Sequence, residues 1–118
     1  MVTIDADVYE HQAGASALCR YLETTPPGDR IDVLLCENDV LAFGAMDTAR
    51  SVFGLRVPDD LAIAGYDGSD FAAAPAYDLT TYEQPVSQMV HLMVNMVLGR
   101  TPPACLRLEG KLLVRHSA

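Results

Sequence analysis

Ile31-Asp32-Val33-Leu34-Leu35-Cys36-Glu37-Asn38-Asp39-Val40-Leu41-Ala42-Phe43-Gly44-Ala45-Met46 reads as one strand feeding directly into one helix. The first six residues are nearly all apolar and only a strand's length, the pattern of a parallel strand covered on both faces. Asn38 or Asp39 is the expected N-cap, a short polar side chain accepting hydrogen bonds from amides that the first helical turn leaves unpaired. The helix is predicted to run to about Phe53, where Gly54 supplies a left-handed closing residue. Its core stripe is Ala42, Ala45, Met46, Ala49 and Phe53, and the small alanines let it lie close to a sheet.

The same punctuation recurs in both directions from this unit. Upstream, Val2-Thr3-Ile4 is a short strand-like run, and Ala15, Leu18, Cys19 and Leu22 form a helical stripe within Tyr9 to Glu23. Thr24-Thr25-Pro26-Pro27-Gly28 stops that helix, because proline cannot continue the ladder. Downstream, Leu61 to Tyr66 is a second buried-type strand, and Gly68 to Ala76 is a loop with about one helical turn. Leu79 to Glu83 is a third strand, with Pro85 at the first position of a helix whose apolar face is Val86, Met89, Val90, Met93 and Val97. Gly99 and Pro102-Pro103 close it, and Ala104 to Arg115 is extended. Alternating strands and helices predict an α/β fold, a parallel sheet of about four or five strands with flanking helices.

Composition narrows the function classes. The 118 residues make one domain, spanning 1–118. Half of them are apolar, enough to offset the entropy of ordering the backbone. With Lys+Arg 8 against Asp+Glu 16, the net charge is -8 and the cations are scattered, so this stretch is not expected to bind nucleic acid directly. Cys19, Cys36 and Cys105 share no metal-ligand or redox spacing and read as reduced, mostly buried small apolar residues of a cytoplasmic protein. No secretory signal is visible in Met1 to Asp5. The stretch Val86 to Leu98 is too short and too interrupted to span a bilayer, which takes about 20 apolar residues. No cofactor, metal or membrane partner is expected.

In an open parallel sheet, ligands bind beyond the carboxyl ends of the strands. The segments there are Asp5-Ala6-Asp7-Val8-Tyr9, Glu37-Asn38-Asp39, Tyr66-Asp67-Gly68-Ser69 and Glu83-Gln84. Carboxylates, amides and an aromatic on one rim suit a polyhydroxylated ligand: carboxylates accept hydroxyl protons, amides donate and accept, and a ring packs on a C–H face. Each residue also has a plainer reading, Asn38 or Asp39 as a cap, Asp67 as a turn former beside Gly68, and Tyr9 as a packing residue.

Three blocks, Glu37 to Met46, Gly54 to Asp67 and Leu79-Thr80-Thr81-Tyr82-Glu83-Gln84-Pro85, come in an order and spacing that closely resembles the LacI/GalR family of bacterial transcriptional regulators. The resemblance covers essentially the whole chain, but only the C-terminal part of such a regulator. It implies the C-terminal portion of a periplasmic-binding-protein type I fold, in which two subdomains close on a small effector, a sugar or another metabolite. Operator DNA would be bound only through a helix-turn-helix outside this stretch. Carried over by position, Asn38, Asp67 and Gln84 are effector contacts, and Tyr9 falls where the family places a stacking aromatic. Gly68 departs from the family's common second aspartate. The resemblance further implies a homodimer in which the 39–53 helix and the segment after Asp67 meet a second copy. Phe43, about 100° from the core stripe, has no place in the core on this reading and joins Val40 at that interface. Segment 86–103 would pack on the other subdomain.

Two alternatives use the same residues. A sugar-binding receptor of a transport system shares the fold. A Mg-dependent phosphoryl-transfer or receiver-like domain would use Asp5, Asp7 and Asp67, but Lys111 is the only lysine, there is no phosphate-binding loop, and the histidines share no catalytic spacing, so an enzyme is not expected.

Overall fold

A computed structural model describes residues 1–118. Its elements are α1 (His11–Thr24), β1 (Val33–Leu35), α2 (Asp39–Ser51), β2 (Ala62–Asp67), β3 (Thr80–Glu83), α3 (Val86–Val97) and β4 (Lys111–Leu113), with 3-10 turns at Pro27–Asp29 and Asp70–Ala73. The sheet order is β1-β2-β3-β4. The first three strands are parallel, with Leu34 opposite Ile63 and Gly65 opposite Thr81, and β4 returns antiparallel to β3 with Leu112 opposite Tyr82. The fold class is thus the α/β arrangement expected, a largely parallel sheet flanked by helices.

Two predicted extended segments differ. Val2-Thr3-Ile4 pairs with no strand, and of 104–115 only Lys111–Leu113 joins the sheet, so the last neighbour is antiparallel rather than parallel. An apolar triplet is a strand only where another backbone edge is in register with it, and the open edge of β1 lies across an apolar gap of about 450 Å³ from Met1 to Ala6. The C-terminal turn acts as a clamp instead. Buried Ser117 donates its hydroxyl to the Ile63 carbonyl at 2.6 Å and accepts the Thr80 amide at 2.8 Å, tying β2 to β3.

The core lies between the sheet and the α1–α2 pair. Leu18 and Leu22 of α1, Met46 and Ala49 of α2, and Leu61, Ile63 and Leu79 are all essentially sealed from solvent. The alanine stripe of α2 is buried as its period predicts, although Phe53 at its end stays partly exposed. Phe43 corrects the expectation drawn from that stripe. It is only 8% exposed and packs against Tyr77, with ring centroids 4.3 Å apart and planes tilted by 31°. A helical wheel assumes one buried face, whereas α2 is covered by the sheet, by α1 and by the loop that carries Tyr77. Val40 (39%) and Phe71 (71%) do remain exposed.

The α1–α2 crossing is made at backbone distance. A Cβ on Gly44 would stand 1.9 Å from the His11 carbonyl oxygen, and one on Gly14 would stand 2.3 Å from that of Leu41. Thr48 adds a hydroxyl donated to the Ala15 carbonyl at 3.3 Å. Both helices therefore sit on one face of the sheet. The other face carries Val33, Leu35, Tyr66 and Leu112 with no helix over it, and α3 buries none of its residues.

The cysteines are free thiols, but of the three expected to be mostly buried only Cys36 is, with Cys19 intermediate and Cys105 exposed in the segment outside the core. Burial, with Asp39 nearby, pushes the Cys36 thiol up to about 12. Because the folded value lies above the unfolded one, its neutral form is fully accommodated below about 9 and that contribution fades as pH rises towards about 12. In iodoacetamide labelling at pH 8 followed by mass spectrometry, Cys105 is expected to react first and Cys36 only on unfolding. Equal labelling of Cys36 and Cys105 in the folded protein would contradict its placement.

Candidate functional site

The carboxyl ends of β1, β2 and β3 all open on one rim. After β1, Cys36 donates its amide to the Ala64 carbonyl at 2.8 Å, and the chain then turns into α2. Asn38, not Asp39, is the cap: its Oδ1 accepts the Leu41 amide at 2.8 Å. That leaves the Asn38 side-chain NH2 as the group to meet a ligand. Glu37 beside it accepts the Tyr9 hydroxyl at 2.8 Å, which brings the N-terminal segment to the same rim. Hydrogen bonding to Glu37 and the charge of its carboxylate raise the Tyr9 hydroxyl above its ordinary value, so it stays a donor.

Asp67 ends β2 with φ 133, followed by Gly68 at φ 74. Two consecutive residues at positive φ swing the chain off the sheet, and only glycine takes the second position freely, since a Cβ there would be 2.5 Å from the Glu83 backbone. Gln84, at the end of β3, donates Nε2–H to Asp67 Oδ1 at 2.7 Å, and its amide reaches the Asp67 carbonyl at 3.3 Å. Asp67 and Gln84 thus form one polar unit, whose second carboxylate oxygen and glutamine side-chain oxygen are left as acceptors.

Asp39 was legible only as a possible cap and turns out to be the post on which the rim is built. It is 0% exposed. Its Oδ2 accepts the Ser69 amide at 2.7 Å and the Ser69 hydroxyl at 2.8 Å, and its Oδ1 accepts the Thr81 hydroxyl at 2.5 Å. Thr81 Oγ1 in turn accepts the Gly68 amide at 3.3 Å. Gly65 makes room for the carboxylate, because a Cβ there would be 2.4 Å from Oδ1. One buried charge at a helix N-terminus therefore joins α2, the loop after β2, and β3.

The bare sheet face carries a second feature that sequence reasoning missed. Tyr66 and Tyr82, opposite each other in the register, stack with centroids 5.4 Å apart and planes 12° from parallel. With Gln84, Pro85, Met89 and residues 106–110 they line a cleft of about 780 Å³. Of the four residues singled out from sequence, only Gln84 lines it; Tyr9, Asn38 and Asp67 stand on the rim instead. Aligning Gly65-Tyr66-Asp67 with Thr81-Tyr82-Glu83 as paired strands would have brought the tyrosines together. No group of three or more His, Cys, Asp or Glu side chains is placed to hold a metal ion.

The fold is shared with proteins of known class. The periplasmic binding protein-like domain matches residues 3–118. The chain belongs to this family, in its LacI/GalR branch. It is 31% identical over 114 residues to the HTH-type transcriptional regulator CelR of Thermobifida fusca, covering 92% of this chain and 32% of that protein. To the ribose operon repressor of Halalkalibacterium halodurans it is 41% identical over 98 residues, covering 83% and 28%. A LacI family transcriptional regulator from Lactobacillus casei solved with bound sucrose superposes with a TM-score of 0.78 at 29% identity, covering 94% of this chain and 42% of that one. The LacI-type chain described here thus spans about a third of the length of these curated relatives. No helix in it is long and apolar enough to cross a membrane.

Proposed function

We propose that this chain supplies the C-terminal half of the effector site of a LacI/GalR-type transcriptional regulator. The effector is a small polyhydroxylated metabolite, a sugar, held between this rim and a second subdomain. Asp67 and Gln84 accept and donate to its hydroxyls, the Asn38 NH2 donates to it, and Tyr9 closes over it. The observation that carries this reading is the Asp67–Gln84 pair, brought from two strand ends to 2.7 Å on the rim where Asn38 caps α2. A sugar-binding transport receptor would use the same fold, but the relatives named above are regulators, which favours control of transcription. On this reading the protein is cytoplasmic, is not an enzyme, needs no cofactor, and meets operator DNA through a helix-turn-helix outside these residues. It works as a homodimer, with exposed Val40 and Phe71 at the contact in place of the buried Phe43.

The test is thermal stabilisation by glucose, sucrose, cellobiose and ribose at millimolar concentration. One of them is expected to raise Tm by several degrees. Asp67→Ala should weaken its binding by at least about 10-fold, the loss of one charge-assisted hydrogen bond. Stabilisation by Mg²⁺ with beryllofluoride and by none of the sugars would replace this reading with the phosphoryl one. Unchanged affinity in Asp67→Ala would remove Asp67 from the site.

A further inference from the structure

One dipeptide joins a reactive sequence to a strained backbone. Asp67-Gly68 is the only place in the chain where an Asp or Asn is followed by glycine. A bond from the next residue's amide nitrogen to an Asp Cγ closes a five-membered ring, and glycine, having no Cβ, leaves that nitrogen unobstructed. The fold adds to this. Asp67 is exposed and held at φ 133, a region that only glycine enters without strain.

The backbone bonds around the dipeptide are long. The Gly68 amide reaches Thr81 Oγ1 at 3.3 Å, and the Gln84 amide reaches the Asp67 carbonyl at 3.3 Å, where a well-formed N–H···O bond measures about 2.9 Å. The Gly68 nitrogen is therefore weakly committed. The carboxylate is fixed mainly by Gln84, which donates Nε2–H to Oδ1 at 2.7 Å. The comparable residues elsewhere are better restrained: Asn38 spends its Oδ1 on the Leu41 amide, Asn95 lies inside α3, and buried Asp39 is followed by the branched Val40.

We propose that Asp67-Gly68 is a site of spontaneous backbone modification, Asp67 passing through a cyclic imide to isoaspartate with the Gln84 side chain as its restraint. In the first step the Gly68 nitrogen attacks Cγ of the protonated carboxyl. The N–Cγ bond forms, a Cγ–O bond breaks, and that oxygen leaves as water with the carboxyl proton and the amide proton. Water then reopens the ring. Attack at Cγ restores aspartate, whereas attack at the former main-chain carbonyl leaves the chain running through Cβ and Cγ. The product is an isomer of the starting chain, and water is the one other reactant. Its extra backbone atom relieves the positive φ at Asp67. The new carboxylate hangs directly from Cα and the chain to Ser69 is displaced, so the bonds to Gln84 and, through Ser69, to Asp39 lose their alignment. The chemistry stands apart from the effector reading; its consequence rests on that reading, in which Asp67 is an effector contact.

The test is incubation of the folded chain at 37 °C and pH 6 for several weeks, then proteolysis and electron-transfer fragmentation, which identifies isoaspartate by cleavage at its Cα–Cβ bond. Isoaspartate is expected at position 67, with an intermediate lighter by one water, and in far smaller amount at every other Asp or Asn. Gln84→Ala should speed its formation about 5-fold, the loss of one hydrogen bond to the carboxylate. Asp67→Glu should abolish it, because the ring would need a sixth member. Circular dichroism checks that both variants stay folded. Absence of isoaspartate at position 67 in the folded chain overturns the proposal, and conversion in urea alone would show that the fold shields the bond. Equal conversion at Asn38 or Asn95 overturns it too, and an unchanged rate in Gln84→Ala removes Gln84 as the restraint. A sugar that raises Tm should slow conversion about 5-fold or more by occupying the same carboxylate. Conversion that such a sugar does not slow would count against Asp67 as an effector contact and leave the modification standing.

Discussion

Gly44→Val is expected to leave little folded protein at 25 °C. The Cβ it adds would lie 1.9 Å from the His11 carbonyl oxygen and 2.8 Å from the Ala15 amide nitrogen, both backbone atoms of a helix that cannot rotate aside. Relief requires α1 and α2 to separate, and the reciprocal approach of Gly14 to Leu41 moves with them. Separation opens space beside Leu18, Leu22 and Met46, so the overpacking strain is compounded by lost contacts. A cost of about 4 kcal/mol or more follows, close to the whole margin of a domain this size, roughly 5–15 kcal/mol. Thermal unfolding by circular dichroism should fall by about 15 °C or more. Gly28→Ala is the control, since nothing stands within 4 Å of its Cβ, and its effect should stay within about 0.5 kcal/mol. If Gly44→Val melts within a few degrees of the native chain, the two helices are not in backbone contact.

Asp39→Ala is expected to be nearly as damaging and to act on the site as well as the core. It strands the Thr81 hydroxyl in a place water does not reach and leaves the part-buried Ser69 amide and hydroxyl without their acceptor. Leaving such donors unpaired costs roughly 1–3 kcal/mol each where no relaxation helps, so a loss of about 3 kcal/mol in urea unfolding is the expected result. Asp39→Asn separates the two roles. It keeps the shape and one acceptor oxygen, so folding is largely retained, but its NH2 group meets donors. Ser69 lies two residues past Asp67, and Thr81 three before Gln84, so both strand ends lose their tether. Hydrogen exchange at the Ser69 amide should quicken by about 10-fold or more, with amides of α1 and α2 unchanged. Unaltered exchange at Ser69 would mean that the loop after β2 is held by something other than this carboxylate.

Much of this architecture was legible before any coordinates. Pro26-Pro27, Gly54, Pro85 and Gly99 mark the ends of helices, and the short apolar runs at Leu34 and Ile63 and the stretch Leu79 to Glu83 hold strands. Asn38 and Asp67 stand at the rim because polar residues directly follow apolar strands. Phe43 was misplaced because periodicity counts positions around one helix and is blind to how many neighbours surround it. Val2-Thr3-Ile4 was misread for a related reason, since β structure is a property of two segments. Tyr66 and Tyr82 each look like ordinary half-buried strand residues until the register sets one beside the other.

The division has a physical basis. Helix starts and stops, the N-cap and the positive-φ turn at Gly68 depend on residues within about four positions of one another, and the order of letters determined them. The partners of the polar groups did not follow from that order. Gln84 meets Asp67 across 17 positions, Ser69 meets Asp39 across 30, and Thr81 meets Asp39 across 42. Only the packing of α2 against β2, with Gly65 leaving space for a carboxylate, decided that Asp39 would be a buried tether and Asn38 the cap facing the rim.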